Sequence, residues 1–144
     1  YDVAGLCNGI LAGLVSITAP CGNVESGSAI VIGLVGGIVY QLSSMFQQFI
    51  GIDDPVDASS VHGACGIWGV LAAGLFDWGN GFDHVHGWSG FHCMTDSDGE
   101  CLDTSGGWFM VAQMWLILAV CVWSSLTSGV TFTLLKMTGK LRVD

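Results

Sequence analysis

The stretch Ile52–Gly69, IDDPVDASSVHGACGIWG, gathers the side chains best able to do chemistry in this 144-residue chain. His62 is the ionisable residue set most deeply in an apolar run, and an imidazole can donate a hydrogen bond from one ring nitrogen while accepting at the other. A charge facing lipid costs ~2.5 kcal/mol or more, so such a residue turns toward a bundle interior or a water-filled cavity. Its helical neighbours Ala58, Ser59, Cys65 and Gly66 are small and leave room beside the ring. Transport or proton transfer, a satisfied core histidine, and a haem or metal ligand all stay open for it. Upstream, Asp53 and Asp54 precede Pro55, whose fixed φ suits a helix start, and carboxylates there complement the helix dipole. Capping explains at least one of them. Asp54 and Asp57 are candidates for a structural or proton-path role, Asp57 lying about one turn before His62.

A second group, His84, His86, His92 and Cys93, matches no defined zinc spacing. Asp96-Ser-Asp98-Gly-Glu100 opens like a calcium loop, but its twelfth position is Gly107 instead of Glu. We therefore assign no metal and no cofactor. No nucleophile–base pair, phosphate loop or nucleotide fingerprint is present, and the chain does not read as an enzyme.

The elements that must position these residues are apolar and long. The chain is 51% hydrophobic and only 10% charged, where soluble domains carry about 25% charged residues. All three basic residues, Lys136, Lys140 and Arg142, lie at the C-terminal end, and the net charge of −9 excludes nucleic acid as a partner. Uncharged segments predict an all-α, multi-pass membrane protein with spans at about 4–19, 29–46, 57–77 and 107–135, since roughly 20 apolar residues cross a bilayer. Glycines recur at Gly5, Gly9 and Gly13, at Gly33 and Gly37, and at Gly63, Gly66 and Gly69, tracks that let helices approach in lipid. Trp78, Trp88 and Trp108 flank span ends, where indoles favour the interface.

Basic residues after the last span place the C-terminus in the cytoplasm. The N-terminus and Gly51–Val56 then lie inside, and the loop 78–106 lies outside. In an oxidising compartment Cys93 and Cys101 become candidates for a loop-closing disulfide. The chain opens on Tyr1 without a charged leader, which suggests a start inside a longer protein.

With these residues in view, the chain resembles the Amt ammonium transporters. The resemblance rests on Gly9–Thr18 (GILAGLVSIT), the small-residue run Ala29–Tyr40, Asp53-Asp54-Pro55 with Asp57, Val61-His62-Gly63-Ala64-Cys65-Gly66, and Gly139-Lys140-Leu141-Arg142-Val143. It covers nearly the whole chain, the outer loop least.

It implies spans eight to eleven of an eleven-span subunit in a homotrimer, in the plasma membrane. His62 matches the second histidine of the family's pore pair, and Leu11, Thr18 and Ala58 match positions near the inner half of the pore. Ala58 stands where a bulkier residue is common. The implied substrate is ammonium or ammonia, with methylammonium as analogue. The remaining pore wall, including the first pore histidine, would come from N-terminal spans of the same or another chain, and lipid would surround the whole. A non-transporting structural subunit or a sensor derived from such a transporter is the alternative function.

Overall fold

A computed structural model describes residues 2–22, 24, 26–76 and 108–141. Helix is the regular structure among these residues, with no strand: α1 (Val3–Thr18), α2 (Ser26–Ile50), a π-helical turn (Ser59–Ala64) running directly into α3 (Cys65–Leu75), and α4 (Trp108–Met137). The chain divides into two units, Tyr1–Gln113 and Met114–Asp144. The first contains α1 to α3, and most of α4 makes up the second.

Chain chemistry sets the helix ends. Pro20, which lacks an N–H, stands two residues past the end of α1 and is buried. α2 outruns the 29–46 expected from its apolar core, because Ser and Gln at its C-terminal end continue the helix to Ile50. Gly51, at φ +76°, then stops it. Its N–H reaches Gln48 O at 3.2 Å and the N–H of Ile52 reaches Gln47 O at 3.0 Å, the paired bonds of a Schellman cap. The same cap ends α4: Gly139 has φ +71°, with Gly139 N to Lys136 O at 3.2 Å and Lys140 N to Leu135 O at 3.0 Å.

Two helices, Ser26–Ile50 and Met110–Met137, are long and apolar enough to cross a membrane, whereas α1 and the π-turn–α3 segment are shorter apolar helices. At ~1.5 Å per residue the 25 residues of α2 extend about 37 Å, beyond the ~30 Å hydrocarbon core.

In the first unit the three helices run up, down and up. Asn8 Nδ2 donates to Val56 O at 3.2 Å, and Gly69 packs on the Ser16 carbonyl further along, so α1 and the π-turn–α3 segment are parallel. The opposite pairing of Ser16 with Gly36, and of Tyr40 with Asp57, sets α2 antiparallel to both. The small core is Ala12, Tyr40, Val61 and Cys65, flanked by Val15 and Val39.

Close approach falls on fewer glycines than the sequence tracks suggest. A Cβ on Gly36 would collide with Ser16 Oγ and come within 2.8 Å of Ser16 Cβ, and one on Gly69 would lie 2.7 Å from Ser16 O. Gly33, Gly37, Gly63 and Gly66 have open space at that position. Spacing by four marks a helix face, but which residue on it meets a neighbour depends on where the axes cross. Two side chains add ties to α2 carbonyls: Trp68 Nε1 to Ile32 O at 3.1 Å and Cys65 Sγ to Gly36 O at 3.5 Å.

Along α4 the side chains from Met114 to Leu134 are exposed on nearly every face, including Trp115, Leu118, Trp123, Leu126 and Phe132. Hydroxyls within it fold back on their own helix, as Thr131 Oγ1 to Thr127 O at 2.9 Å and Thr133 Oγ1 to Gly129 O at 2.7 Å. This removes polar donors from its surface.

Candidate functional site: a π turn held by two aspartates and a glutamine

Pro55 does not open the helix. It occupies the second position of a turn closed by Asp57 N to Asp54 O at 3.1 Å, a place its fixed φ also suits. Asp54 therefore acts from a distance of one turn. Its carboxylate accepts from Ala58 N (3.0 Å), Ser59 N (2.8 Å) and Ser59 Oγ (2.7 Å). These satisfy donors that the first turn of a helix leaves without partners. Hydrogen bonds from the Ser59 hydroxyl, then from the Ser59 and Ala58 backbone, hold the Asp54 carboxyl below the usual carboxylate range.

Asp57 has a different job. Its backbone sits at φ +55°, a left-handed conformation that Asp tolerates better than most residues. From there Oδ2 accepts the Tyr40 hydroxyl at 2.9 Å and Oδ1 accepts the Ser44 hydroxyl at 3.0 Å. Tyr40 and Ser44 are both buried on α2, so the carboxylate satisfies two hydroxyls largely withdrawn from water.

A third set of bonds fixes the π turn itself. Gln47 Nε2 lies 2.7 Å from Ser60 Oγ and 3.2 Å from Ser43 Oγ, and Ser60 Oγ is 3.1 Å from Ser43 Oγ. Ser59 Oγ is also within reach of Gln47 Oε1, and its single proton serves either that oxygen or Asp54 at one time. Ser60 is fully buried.

On this turn Ser60 and Val61 take the buried side, while His62 and Gly63 are exposed. π-helical turns are rare and occur frequently at functional sites. His62 lies at a level between the Asn8–Val56 and Ser16–Gly69 ties, as does Leu11 on the parallel α1. Leu11 is exposed as well.

The other expected positions disperse. Thr18 lies past Ser16, beyond the level of His62, and its Oγ1 donates to Leu14 O at 2.8 Å. Ala58, exposed, is the residue that precedes the π turn and gives its N–H to Asp54. Asp53 is exposed. Cys93, Cys101, His84, His86 and His92, and with them the outer loop, lie outside the described residues. Among the described residues no cluster of His, Cys, Asp or Glu is arranged to hold a metal.

Tyr40, Ser43, Ser44 and Gln47 were not singled out from sequence. They fall at i, i+3, i+4 and i+7, one face of α2. A polar stripe on an otherwise apolar helix was the signal that would have found them.

Comparison with known proteins by sequence covers the whole chain. The family model described as "Ammonium Transporter Family" matches residues 1–144. Among curated proteins the chain is similar to "Putative ammonium transporter 1 member 5" of Arabidopsis thaliana, 35% identical over 100% of this chain and 28% of that protein. It is 35% identical to "Ammonium transporter 1 member 3" of Solanum lycopersicum over 100% of this chain and 31% of the relative. "Ammonium transporter 3" of Dictyostelium discoideum is 33% identical over 100% of this chain and 32% of its own length. The chain thus spans about three tenths of the relatives it matches. No solved structure gives a significant match.

Proposed function

The chain belongs to the ammonium transporter family, and on that premise we propose that it lines part of a pore that passes ammonium or ammonia across a membrane. Membership, with two helices long and apolar enough to cross a bilayer, makes it an integral membrane protein. The relatives are named as transporters, not as enzymes.

One observation carries the pore reading. His62 is exposed on a π turn whose opposite side is pinned to α2, so the imidazole is presented outward from a rigid base. In a narrow apolar passage, desolvation disfavours the charged ammonium ion and favours release of its proton. The His62 imidazole takes that proton at its free ring nitrogen and returns it to water beyond the constriction, hydrogen-bonding the ammonia as it passes, and Leu11 at the same level helps keep water out. Potassium has no proton to give up, and the desolvation penalty holds it back. Thr18 and Ala58 are assigned to the pore wall on either side of this level.

In the same proposal α1, α2, the π-turn–α3 segment and α4 are four spans of an eleven-span subunit, and the exposed apolar faces meet lipid or spans outside this chain. Subunits assemble as a homotrimer in the plasma membrane. Lys136 and Lys140 lie on the cytoplasmic side, and the loop 78–106, with a Cys93–Cys101 disulfide, lies outside.

Reconstitution of the native polypeptide containing this segment tests the reading. Vesicles given an ammonium or methylammonium gradient should show protein-dependent flux. Membrane insertion with no flux would instead make the chain a structural subunit, and ammonium binding without flux would make it a sensor.

A further inference from the structure

We propose that Gln47 is a positioning residue for His62, acting through Ser59 and Ser60. A π turn closes each ring with one residue more than an α turn. If Ser59–Ala64 relaxed to an α-helix, that residue would have to leave the turn. The face on one side would then rotate by about 100° relative to the other, the angle one residue subtends. The C-terminal side cannot follow, because Cys65 and Trp68 are bonded to Gly36 and Ile32 of α2 and Gly69 is packed on Ser16. The N-terminal side is held at Ser60, fully buried, by Gln47 and Ser43, and at Ser59 by its N–H on Asp54 and its hydroxyl on Gln47 or Asp54.

Gln47 is the residue that touches both serines. Its own backbone is fixed in turn, since its carbonyl accepts Ile52 N in the cap that ends α2. With both flanks tied to α2, the intervening residues keep the π form, and His62 keeps its outward aim. Among the described residues the Gln48 side chain, next along, bonds its helix neighbour Ser44 and neither serine of the turn.

The proposal rests on His62 as the pore-facing residue, but its test reads the imidazole directly. In the native polypeptide, His62 is carbethoxylated with diethyl pyrocarbonate and mapped by peptide mass spectrometry, as a ratio to His84, His86 and His92 of the same molecule. Replacing Gln47 with Met (Q47M) should change that ratio by on the order of five- to tenfold, because the two serines of the turn lose the side chain that bridges them, Ser60 keeping only Ser43 and Ser59 only Asp54. Q48M should leave it as in wild type. Circular dichroism and size-exclusion elution of Q47M, expected to match wild type, separate release of the turn from a general loss of structure.

Methylammonium flux is measured alongside. A changed ratio with reduced flux supports both the clamp and the pore role. A changed ratio with undiminished flux supports the clamp and removes His62 from transport. An unchanged ratio in accumulating Q47M overturns the proposal. If Q47M fails to accumulate, Q47N, whose shorter side chain keeps the amide but cannot span both serines, decides by the same criterion.

Discussion

The Tyr40 hydroxyl donates to Asp57 Oδ2 across 2.9 Å, joining the middle of α2 to the last residue of the loop before the π turn and its cap Ala58. Asp57 also accepts Ser44 Oγ at 3.0 Å, and its carbonyl takes Val61 N at 2.9 Å. The loop 51–57 is thus closed onto the helix before it, and the residue in left-handed conformation is the one that closes it.

Substitutions at Asp57 should rank by how much of this they remove. D57N keeps a tolerated left-handed backbone and one acceptor. D57G keeps the backbone and loses both acceptors. D57A strands the buried Tyr40 hydroxyl at about 1–3 kcal/mol and forces alanine into the left-handed region at about 1–2 kcal/mol more. Thermal unfolding of the detergent-solubilised protein should fall in the order wild type, D57N, D57G, D57A. Equal stability of D57N and D57A would refute the assignment.

Close packing of α1 on α2 predicts a contrast between adjacent glycines. G36A drives a methyl into Ser16 and should cost about 1–3 kcal/mol as overpacking. G37A meets nothing within 4 Å in the first unit and should be better tolerated. Comparing the melting temperatures of the two variants checks this, and an equal or larger loss for G37A would place the tight crossing elsewhere.

Acid should loosen the π turn through Asp54. Its carboxyl is held below the usual range in the folded protein. The stabilisation is therefore complete above the ordinary aspartate value of about 3.9 and is lost as pH falls through the lower folded value. Unfolding followed between pH 5 and pH 3 should show a fall in stability with acid that is smaller in D54N. An identical pH profile in D54N would mean that the cap contributes nothing to this range.

Much of this was legible in the sequence at the level of helices, and less at the level of contacts. The all-helical character follows from uncharged apolar runs, and the sequence offers Asp53 and Asp54 alike as caps before Pro55, whereas the bonds to Ala58 and Ser59 come from Asp54. The apolar run ends at Phe46, yet Gln47 and Gln48 continue the helix to Ile50, and Gln47 with Ser43 provides the clamp. Asp57 stands apart from Asp54 by its place one turn before His62, but its partners lie 17 and 13 residues earlier, and only the antiparallel packing of α2 brings them close. The π turn has no sequence signature of its own. It results from ties on both flanks of a segment that carries one residue too many for an α-helix.

The most direct test of the account is ammonium transport by His62→Ala in the native polypeptide, reconstituted in vesicles, with potassium flux measured beside it. The account predicts that ammonium flux falls by at least about tenfold, or that discrimination against potassium relaxes by a similar factor, equivalent to about 1.4 kcal/mol. Wild-type flux with wild-type selectivity in a correctly inserted His62→Ala protein would contradict it.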